Sequence, residues 1–286
     1  MYNKIILGSA QFGLNYGINN KEGKPSTDKV FEILNFCKLN KINFIDTADA
    51  YGDSSKIIGE FQNTTSFNFS INTKFKIGSK SISEQLSNSL KILFTKSIDT
   101  YFFHSYNDFI NFPKISNELI HFKHEGKISK IGLSIYDNSE FKAAIESPLI
   151  DVIQIPFNLL DNINHRGELL LKAKEKNKIV QARSVFLQGL FFKNTSDLPQ
   201  KLRPLEKDLN KIRNIAHVNN ISIERLALQY VSQIKEIDSI IIGVDSLDQL
   251  EKNIKYLEND MSQQIIRDIN QIYFKPEELL YPKNWN

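Results

Sequence analysis

Residues 44–52 read FIDTADAYG and indicate the fold of the surrounding chain. The first three residues, Phe44 to Asp46, are a short, mostly apolar run of the length expected for a buried strand. An amphipathic segment with helical spacing, residues 28–40, precedes them. The stretch therefore predicts a strand that follows a helix and ends at Asp46, with a polar loop beyond it.

The same alternation of a short apolar run and a longer helical segment recurs along the chain. The strand candidates are residues 5–8, 44–46, 69–74, 100–104, 130–134, 152–156, 179–183 and 239–243. The helix candidates include residues 28–40, 83–94, 115–125, 139–146 and 246–257, with Ser83 and Ser246 as N-cap candidates. Eight such units without a long Pro- or Gly-rich linker predict one α/β domain over residues 1–286, a closed (β/α)8 TIM barrel. A doubly wound sheet is the main alternative, but its G-x-G-x-x-G fingerprint is missing from the sequence.

Two regions exceed a minimal barrel. Residues 186–204 form a long connection after the seventh strand candidate, and an additional helix at residues 223–232 precedes the eighth. The tail, residues 262–286, contains one more helix and an irregular end. Because additions after the late strands of a barrel often cover its open end, we expect these segments near the functional site.

Composition argues against several classes of function. The 36 basic and 33 acidic residues give a net charge of +3 that is spread along the chain, which favours neither nucleic acid nor a membrane as partner. The apolar run at the start is too short for a signal peptide, and no run approaches the roughly 20 residues that span a bilayer. The one cysteine, Cys37, lies in an apolar-periodic run, so we expect a buried thiol in a reducing compartment. We expect a cytoplasmic protein.

Four chemically active side chains fall at the carboxyl ends of three consecutive strand candidates. They are Asp46, Tyr51, Lys74 and His104. Each alone has an ordinary explanation, such as a helix cap, a solvated lysine or a core histidine. In a barrel of this kind, however, catalytic groups come from the carboxyl ends of the strands, and all four lie there.

Together these residues suit carbonyl reduction. A hydride added to a carbonyl leaves an alkoxide, so a proton donor must stand at that oxygen, and a tyrosine can donate. A lysine ammonium beside the phenol lowers its pKa from about 10, and a carboxylate keeps the lysine charged and oriented. A histidine can hydrogen-bond the substrate oxygen and polarise it.

The stretch 44–52 resembles the signature of the aldo/keto reductase family, in which Asp and Tyr stand five positions apart. Lys74 after residues 71–73 and His104 after residues 99–103 resemble the other two members of that family's catalytic tetrad. The resemblance, which extends from about residue 6 to residue 253, implies an NAD(P)H-dependent reductase of an aldehyde or ketone. The implied roles are general acid for Tyr51, tuning of that acid for Lys74 and Asp46, and contact with the substrate oxygen for His104.

The resemblance also implies a cofactor site. Ser134 and Gln154 match positions that hold the nicotinamide carboxamide in the family. Residues 182–190 resemble the loop that wraps the pyrophosphate, and residues 242–246 with the following helix resemble the adenosine-phosphate end. The residues implied in these two segments are Arg183, Ser184, Leu187, Gly189, Gly243, Val244, Asp245, Gln249 and Asn253.

Two departures from the family pattern stand out. Many relatives place an aromatic ring against the nicotinamide where this chain has Arg183. The positions that usually bind the 2′-phosphate with Arg or Lys carry Gly243, Val244, Asp245 and Gln249, none of them basic. We therefore expect the usual NADPH preference to be weakened or reversed, which leaves NADP(H) and NAD(H) both open as the cofactor.

The opening segment, residues 7–19, resembles the start found in a bacterial branch of the family whose members often accompany cell-surface polysaccharide enzymes. The predicted lining of the substrate site comprises Gln11, Tyr16, Tyr136, Phe157 and Asn158. A lining that is both aromatic and polar suits hydroxylated ligands. We therefore expect a small carbonyl substrate related to sugars, such as an aldose or a nucleotide-linked keto-sugar.

Three alternatives stay open at this point. The same site can run backwards and oxidise a sugar alcohol or lactol. Some barrels of the family are regulatory subunits that bind cofactor with little turnover, although the four strand-end residues argue against that function. A metal-dependent barrel is the weakest alternative, because the five histidines show no ligand spacing with a carboxylate cluster. The oligomeric state is not predicted.

Overall fold

Eight short strands form a closed ring in which each strand is parallel to both neighbours. The computed structural model describes residues 4–20, 22–78, 80–111 and 115–285. The strands are β1 (Ile5–Gly8), β2 (Phe44–Asp46), β3 (Ser70–Phe75), β4 (Ile98–Phe103), β5 (Ile128–Ser134), β6 (Val152–Pro156), β7 (Ile179–Arg183) and β8 (Ser239–Gly243). Their spatial order is their sequence order, and β8 closes the ring by pairing with β1, Ile5 beside Ile240. The predicted (β/α)8 barrel is confirmed.

Helices surround the ring and cover its outer face. They are α1 (Ala10–Gly13), α2 (Thr27–Leu39), α3 (Ser54–Thr65), α4 (Ile82–Ile92), α5 (Tyr106–Asn111), α6 (Ile115–His124), α7 (Asn138–Glu146), α8 (Ile163–Glu175), α9 (Glu206–Val218), α10 (Ile223–Ser232), α11 (Leu247–Tyr256) and α12 (Gln263–Asn270). In α2 the residues Val30, Ile33, Leu34 and Cys37 recur at helical spacing and are fully buried. Burial of this apolar stripe on the strands provides the hydrophobic driving force that holds α2 on the barrel.

Most element predictions are confirmed to within two residues, and one cap is corrected. Ser246 caps α11 as predicted, with its hydroxyl accepting a hydrogen bond from the Gln249 amide. Ser83 was expected to cap α4, but the cap is Ser81, whose hydroxyl accepts from the Glu84 amide while the Glu84 carboxylate accepts from Ser81. The helix begins one residue earlier than predicted because this reciprocal pair satisfies two free amides at once.

The long connection after β7 and the tail contain short 3-10 helices. They are Leu187–Phe192, Thr195–Asp197, Gln200–Leu205, Glu277–Leu280 and Pro282–Asn284. The last of these brings Lys283 and the neighbouring Tyr281 against Tyr136, which follows the carboxyl end of β5. The tail therefore lies at the open end of the barrel where the site residues were predicted. In the part of the chain that the structure describes, no helix is long and apolar enough to cross a bilayer.

Candidate active site

An ion pair between Asp46 and Lys74 lies inside the carboxyl end of the barrel. Asp46 ends β2 and Lys74 is the next-to-last residue of β3. The Lys74 Nζ atom is 2.5 Å from Asp46 Oδ2, and the two side chains are only 2% and 5% exposed. Nζ also donates to the Thr47 carbonyl oxygen at 3.1 Å. Buried charges are tolerated when paired and hydrogen-bonded, as these are.

Three amides extend this pair into a hydrogen-bonded chain across the barrel interior. Gln154 Nε2 donates to Asp46 Oδ1 at 2.7 Å and to Gln181 Oε1 at 3.1 Å. Asn72 Nδ2 donates to the same Gln181 oxygen at 3.2 Å. Asn72 and Gln181 were not predicted from the sequence. The strand register could have identified both residues. Asn72 lies two residues before Lys74 on the same face of the strand, and Gln181 pairs directly with Gln154.

Tyr51 lies beside the ion pair, in the turn that follows β2. The Lys74 ammonium is 5.2 Å from the centre of the Tyr51 ring. Burial, and then the Asp46 carboxylate, raise the pKa of the Tyr51 phenol above its ordinary value, while Arg183 opposes the rise. The pKa of the phenol is therefore raised overall, because desolvation of the phenolate outweighs nearby positive charge. The phenol carries its proton at neutral pH.

His104 follows β4 directly, and its ring meets the edge of Tyr51. The two ring centres are 6.3 Å apart and the ring planes are nearly perpendicular. Burial, followed by the charges of Lys74, Lys76 and Arg183, lowers the pKa of His104 to about 3. Nδ1 is buried and has no hydrogen-bond partner among the described residues. The ring is thus a neutral imidazole beside the phenol.

Lys74 is a charged group near both the tyrosine and the histidine, as Arg183 is. Burial lowers the pKa of its ammonium, and the Asp46 carboxylate opposes that fall through its charge and its hydrogen bond. The carboxylate therefore preserves the positive charge at the centre of the site. The four predicted tetrad residues are brought together as expected, with neutral Tyr51 and His104 near the Lys74 ammonium.

The predicted carboxamide contacts lie next to this group. Ser134 ends β5 and is 5% exposed. Gln154 uses its amide nitrogen within the interior network, but its Oε1 is buried without a partner in the described part of the chain. A buried acceptor without a donor indicates a site where a ligand donor is expected. A nicotinamide carboxamide, which carries an NH₂ group, fits this requirement.

The predicted pyrophosphate loop leaves β7 in an unusual conformation. Ser184, Leu187 and Gly189 all have positive φ angles, of 59°, 48° and 86°. The Leu187 side chain is fully buried, so only its backbone could contact a ligand. The Gln188 carbonyl accepts from the Ile18 amide at 2.9 Å, which ties this loop to the segment after β1.

The predicted adenosine end lies where β8 leads into α11. The Gln249 side chain accepts a hydrogen bond from the Asp245 amide at 2.9 Å, while Val244 and Asn253 are buried. Burial raises the pKa of Asp245, a hydrogen bond of its side chain with Gln249 opposes the rise, and Glu22 adds a second negative charge nearby. A Cβ atom on Gly243 would lie 2.3 Å from Gln11 Oε1, so Gln11 rests directly on that glycine. Gln11, predicted as a substrate contact, therefore lies against a predicted cofactor residue.

Two predicted substrate contacts lie at the mouth of the barrel. The Tyr16 hydroxyl accepts from Gln188 Nε2 at 3.1 Å, and burial, then Tyr51, raises the Tyr16 pKa. Tyr136 supports Arg183, whose guanidinium carbon is 4.5 Å from the ring centre. Both aromatic side chains are partly exposed.

Two further predicted substrate contacts, Phe157 and Asn158, do not lie at the mouth of the barrel. Both are 0% exposed. Phe157 stacks on Tyr230 with ring centres 5.9 Å apart, and Asn158 holds the turn after β6 by accepting from the Leu160 and Asp161 amides. Neither side chain presents surface to a ligand, so we remove both from the predicted substrate site.

Among residues 4–20, 22–78, 80–111 and 115–285, no group of three or more His, Cys, Asp or Glu residues is arranged to hold a metal ion.

Comparison with known proteins agrees with this geometry. A model of the aldo/keto reductase family matches residues 4–273. The chain belongs to the aldo/keto reductase family. It is similar to an aryl-alcohol dehydrogenase of Pestalotiopsis microspora, with 25% identity over 88% of this chain and 74% of that protein. An L-galactose dehydrogenase of Arabidopsis thaliana is 25% identical over 84% of this chain and 83% of its own length.

A solved aldo-keto reductase of Bacillus halodurans, in its holo form, has the same fold. It superimposes with a TM-score of 0.76 at 20% identity, covering 96% of this chain and 94% of the other. Family membership makes the present aldo/keto reductase a nicotinamide-dependent oxidoreductase of carbonyl compounds.

We expect the imidazole of His104 to stay neutral from pH 8 to pH 5. An unperturbed histidine, with a pKa of about 6.5, is mostly protonated at pH 5, whereas burial and three neighbouring cations move protonation of His104 to about pH 3. A ¹H–¹³C NMR titration, assigned with His104→Asn, measures this directly. A His104 resonance that titrates with a midpoint between pH 6 and 7 would contradict the description of the site.

Proposed function

We propose that this aldo/keto reductase reduces an aldehyde or ketone to an alcohol, with the Tyr51 phenol as the proton donor. The observation that carries the proposal is the buried Asp46–Lys74 ion pair with the Tyr51 ring 5.2 Å from its ammonium. A carbonyl oxygen placed between Tyr51 and His104 would meet a proton donor on one side and a polar ring on the other. The cofactor, when bound, supplies the hydride for this reaction.

The protonation state of Tyr51 supports the direction of reduction. Its raised pKa keeps the proton on the phenol at neutral pH, and this is the proton that a developing alkoxide needs. Oxidation of an alcohol needs the opposite state, a phenolate that accepts a proton. The same site therefore favours reduction at neutral pH. Oxidation of the alcohol becomes more favourable as the pH rises toward the pKa of the phenol.

Lys74 and Asp46 would act on the phenolate that remains after the proton has left. A phenolate forming near the ammonium is stabilised by its charge in surroundings from which water is largely excluded. Asp46 acts through Lys74, because its carboxylate maintains and orients that charge. His104, neutral and with one ring nitrogen unpartnered, would hydrogen-bond the substrate oxygen without competing for the proton.

The positions of the predicted cofactor residues suggest which part of the cofactor each one would hold. Ser134 and the unpartnered Gln154 Oε1 would take the carboxamide, Arg183 would face the nicotinamide, and the backbone of residues 184–189 would line the pyrophosphate. Gly243, with Gln11 against it, and the start of α11 would take the adenosine end. Backbone amides at a helix start favour a negatively charged group.

We further propose that the cofactor is NADH rather than NADPH. Asp245 and Glu22 place two acidic groups at the adenosine end. The nearby Lys252 is exposed and pairs with Asp248 at 2.8 Å. A 2′-phosphate at this end would meet negative charge without the arginine or lysine that usually binds it.

The substrate class is proposed to be a small hydroxylated carbonyl compound. Tyr16 and Tyr136 offer aromatic surface with hydroxyl groups at the mouth of the barrel, and such surfaces suit sugar-like molecules. The similarity to an L-galactose dehydrogenase points to the same chemical class.

Replacing Tyr51 by phenylalanine removes the proton donor and leaves the ring. We expect kcat for reduction of glyceraldehyde with NADH to fall at least about 100-fold, because general acid catalysis contributes on this scale. The NADH dissociation constant, measured by fluorescence, should change less than about twofold, since the ring and the ion pair remain. Tyr273→Phe, at a half-exposed tyrosine, is the matched control. Unchanged turnover in Tyr51→Phe would remove Tyr51 from the mechanism.

Cofactor preference is tested with Asp245→Asn. We expect the wild-type chain to bind NADH more tightly than NADPH at pH 8. The variant should bind NADPH about five to ten times more tightly than wild type, the effect of removing one charge worth about 1 kcal/mol. Asp260→Asn, beyond the opposite end of α11, should leave both affinities unchanged. Tenfold tighter binding of NADPH than NADH by wild type would reject the proposal.

A further inference from the structure

Two cations from distant parts of the chain meet at one aromatic ring in the mouth of the barrel. The ring is Tyr136, the second residue after β5. The Arg183 guanidinium carbon, at the end of β7, is 4.5 Å from its centre, and the Lys283 Nζ atom, from the tail, is 4.0 Å from it. Both distances are measured to the centre of the Tyr136 ring, so the two cations cannot be farther apart than the two distances added together.

Neither cation has a carboxylate partner in the part of the chain that the structure describes. The Arg183 guanidinium donates from Nη2 to the Ile135 carbonyl at 2.9 Å and from Nη1 to Ser184 Oγ at 3.3 Å. Its Nε is buried without a partner. A guanidinium with a buried unpaired donor is an unsatisfied group, and a carboxylate or phosphate is its strongest partner.

The carboxylates in this region are already engaged. Glu140 accepts a hydrogen bond from the Tyr136 amide. Asp161 receives two bonds from the guanidinium of Arg166. Neither of these carboxylates forms an ion pair with Arg183 or Lys283 in the described part of the chain.

We propose that Arg183 and Lys283 form a subsite for an anionic group, a phosphate or a carboxylate, carried by the substrate that presents its carbonyl to Tyr51. Guanidinium and ammonium groups both bind phosphate and carboxylate through charge-assisted hydrogen bonds. The charge of Arg183 also acts on the ionisation of Tyr51, Lys74 and His104, so the subsite and the reacting oxygen share one mouth. The identity of the substrate in this inference rests on the proposed reductase activity. The binding site itself rests on the two cations alone.

Calorimetry tests the binding without any turnover. The probes are glycerol 3-phosphate, glycerate and glycerol, titrated into wild type, Arg183→Gln and Lys283→Gln. We expect one of the two anions to bind and neutral glycerol to bind far more weakly, with each variant losing about tenfold or more in affinity for the anion. The anion that binds more tightly identifies the anionic group of the substrate as a phosphate or a carboxylate.

The control is Lys275→Gln, because Lys275 lies on the same tail but contacts Tyr273 instead of Tyr136. Its affinity for the anion should equal that of wild type. Anions that bind no better than glycerol, or an equal loss in Lys275→Gln, would overturn the subsite.

Kinetics separates this inference from the proposed function. With NADH, Lys283→Gln should raise KM for glyceraldehyde 3-phosphate about tenfold if phosphate is the preferred anion and leave KM for glyceraldehyde unchanged. If calorimetry has shown phosphate to be the preferred anion, equal effects on the two aldehydes would also overturn the subsite. Failure of wild type to bind NADH or to reduce either aldehyde rejects the reductase proposal, while the calorimetric result still decides the subsite.

Discussion

The buried ion pair of Asp46 and Lys74 is the interaction on which the rest of the site depends. Removing a carboxylate and an ammonium from water costs several kcal/mol for each ion, and the cost is offset only by close contact and additional hydrogen bonds. The barrel supplies both: a 2.5 Å contact between the charges, the Thr47 carbonyl for the lysine and the Gln154 amide for the aspartate. The chain of amides through Gln181 to Asn72 then continues the hydrogen bonding across the interior and leaves Gln154 Oε1 without a partner in the described part of the chain.

Burial of this pair determines the charge state of the groups around it. The same exclusion of water that strengthens the ion pair makes other charges unfavourable, so Tyr51 holds its proton and His104 stays neutral. Positive charge from Lys74, with Arg183 nearby, thus faces two neutral polar groups. An oxygen that gains negative charge during reduction would be stabilised there, in surroundings that need little rearrangement.

Sequence reasoning found the parts of this arrangement that depend on strand order. Once the alternating strands and helices indicated a parallel barrel, the residues at the strand ends had to meet at one end, and Asp46, Tyr51, Lys74 and His104 do. It failed where contacts depend on side-chain direction or on distant segments. Phe157 and Asn158 point into the packing after β6, and Lys283 reaches Tyr136 from far along the chain. No local sequence pattern encodes such contacts. The role of Gln181, in contrast, could have been predicted by pairing β6 with β7, which places it beside Gln154.

The most direct test of the account asks whether Lys74 and Tyr51 act as one unit. The measurement is kcat for glyceraldehyde reduction in Lys74→Met, in Tyr51→Phe and in the double variant. If Lys74 works only by stabilising the phenolate of Tyr51, the double variant should be no slower than the slower single variant, because residues that act together lose their effect together. Losses that multiply in the double variant would show two independent contributions and would contradict the central role of the ion pair.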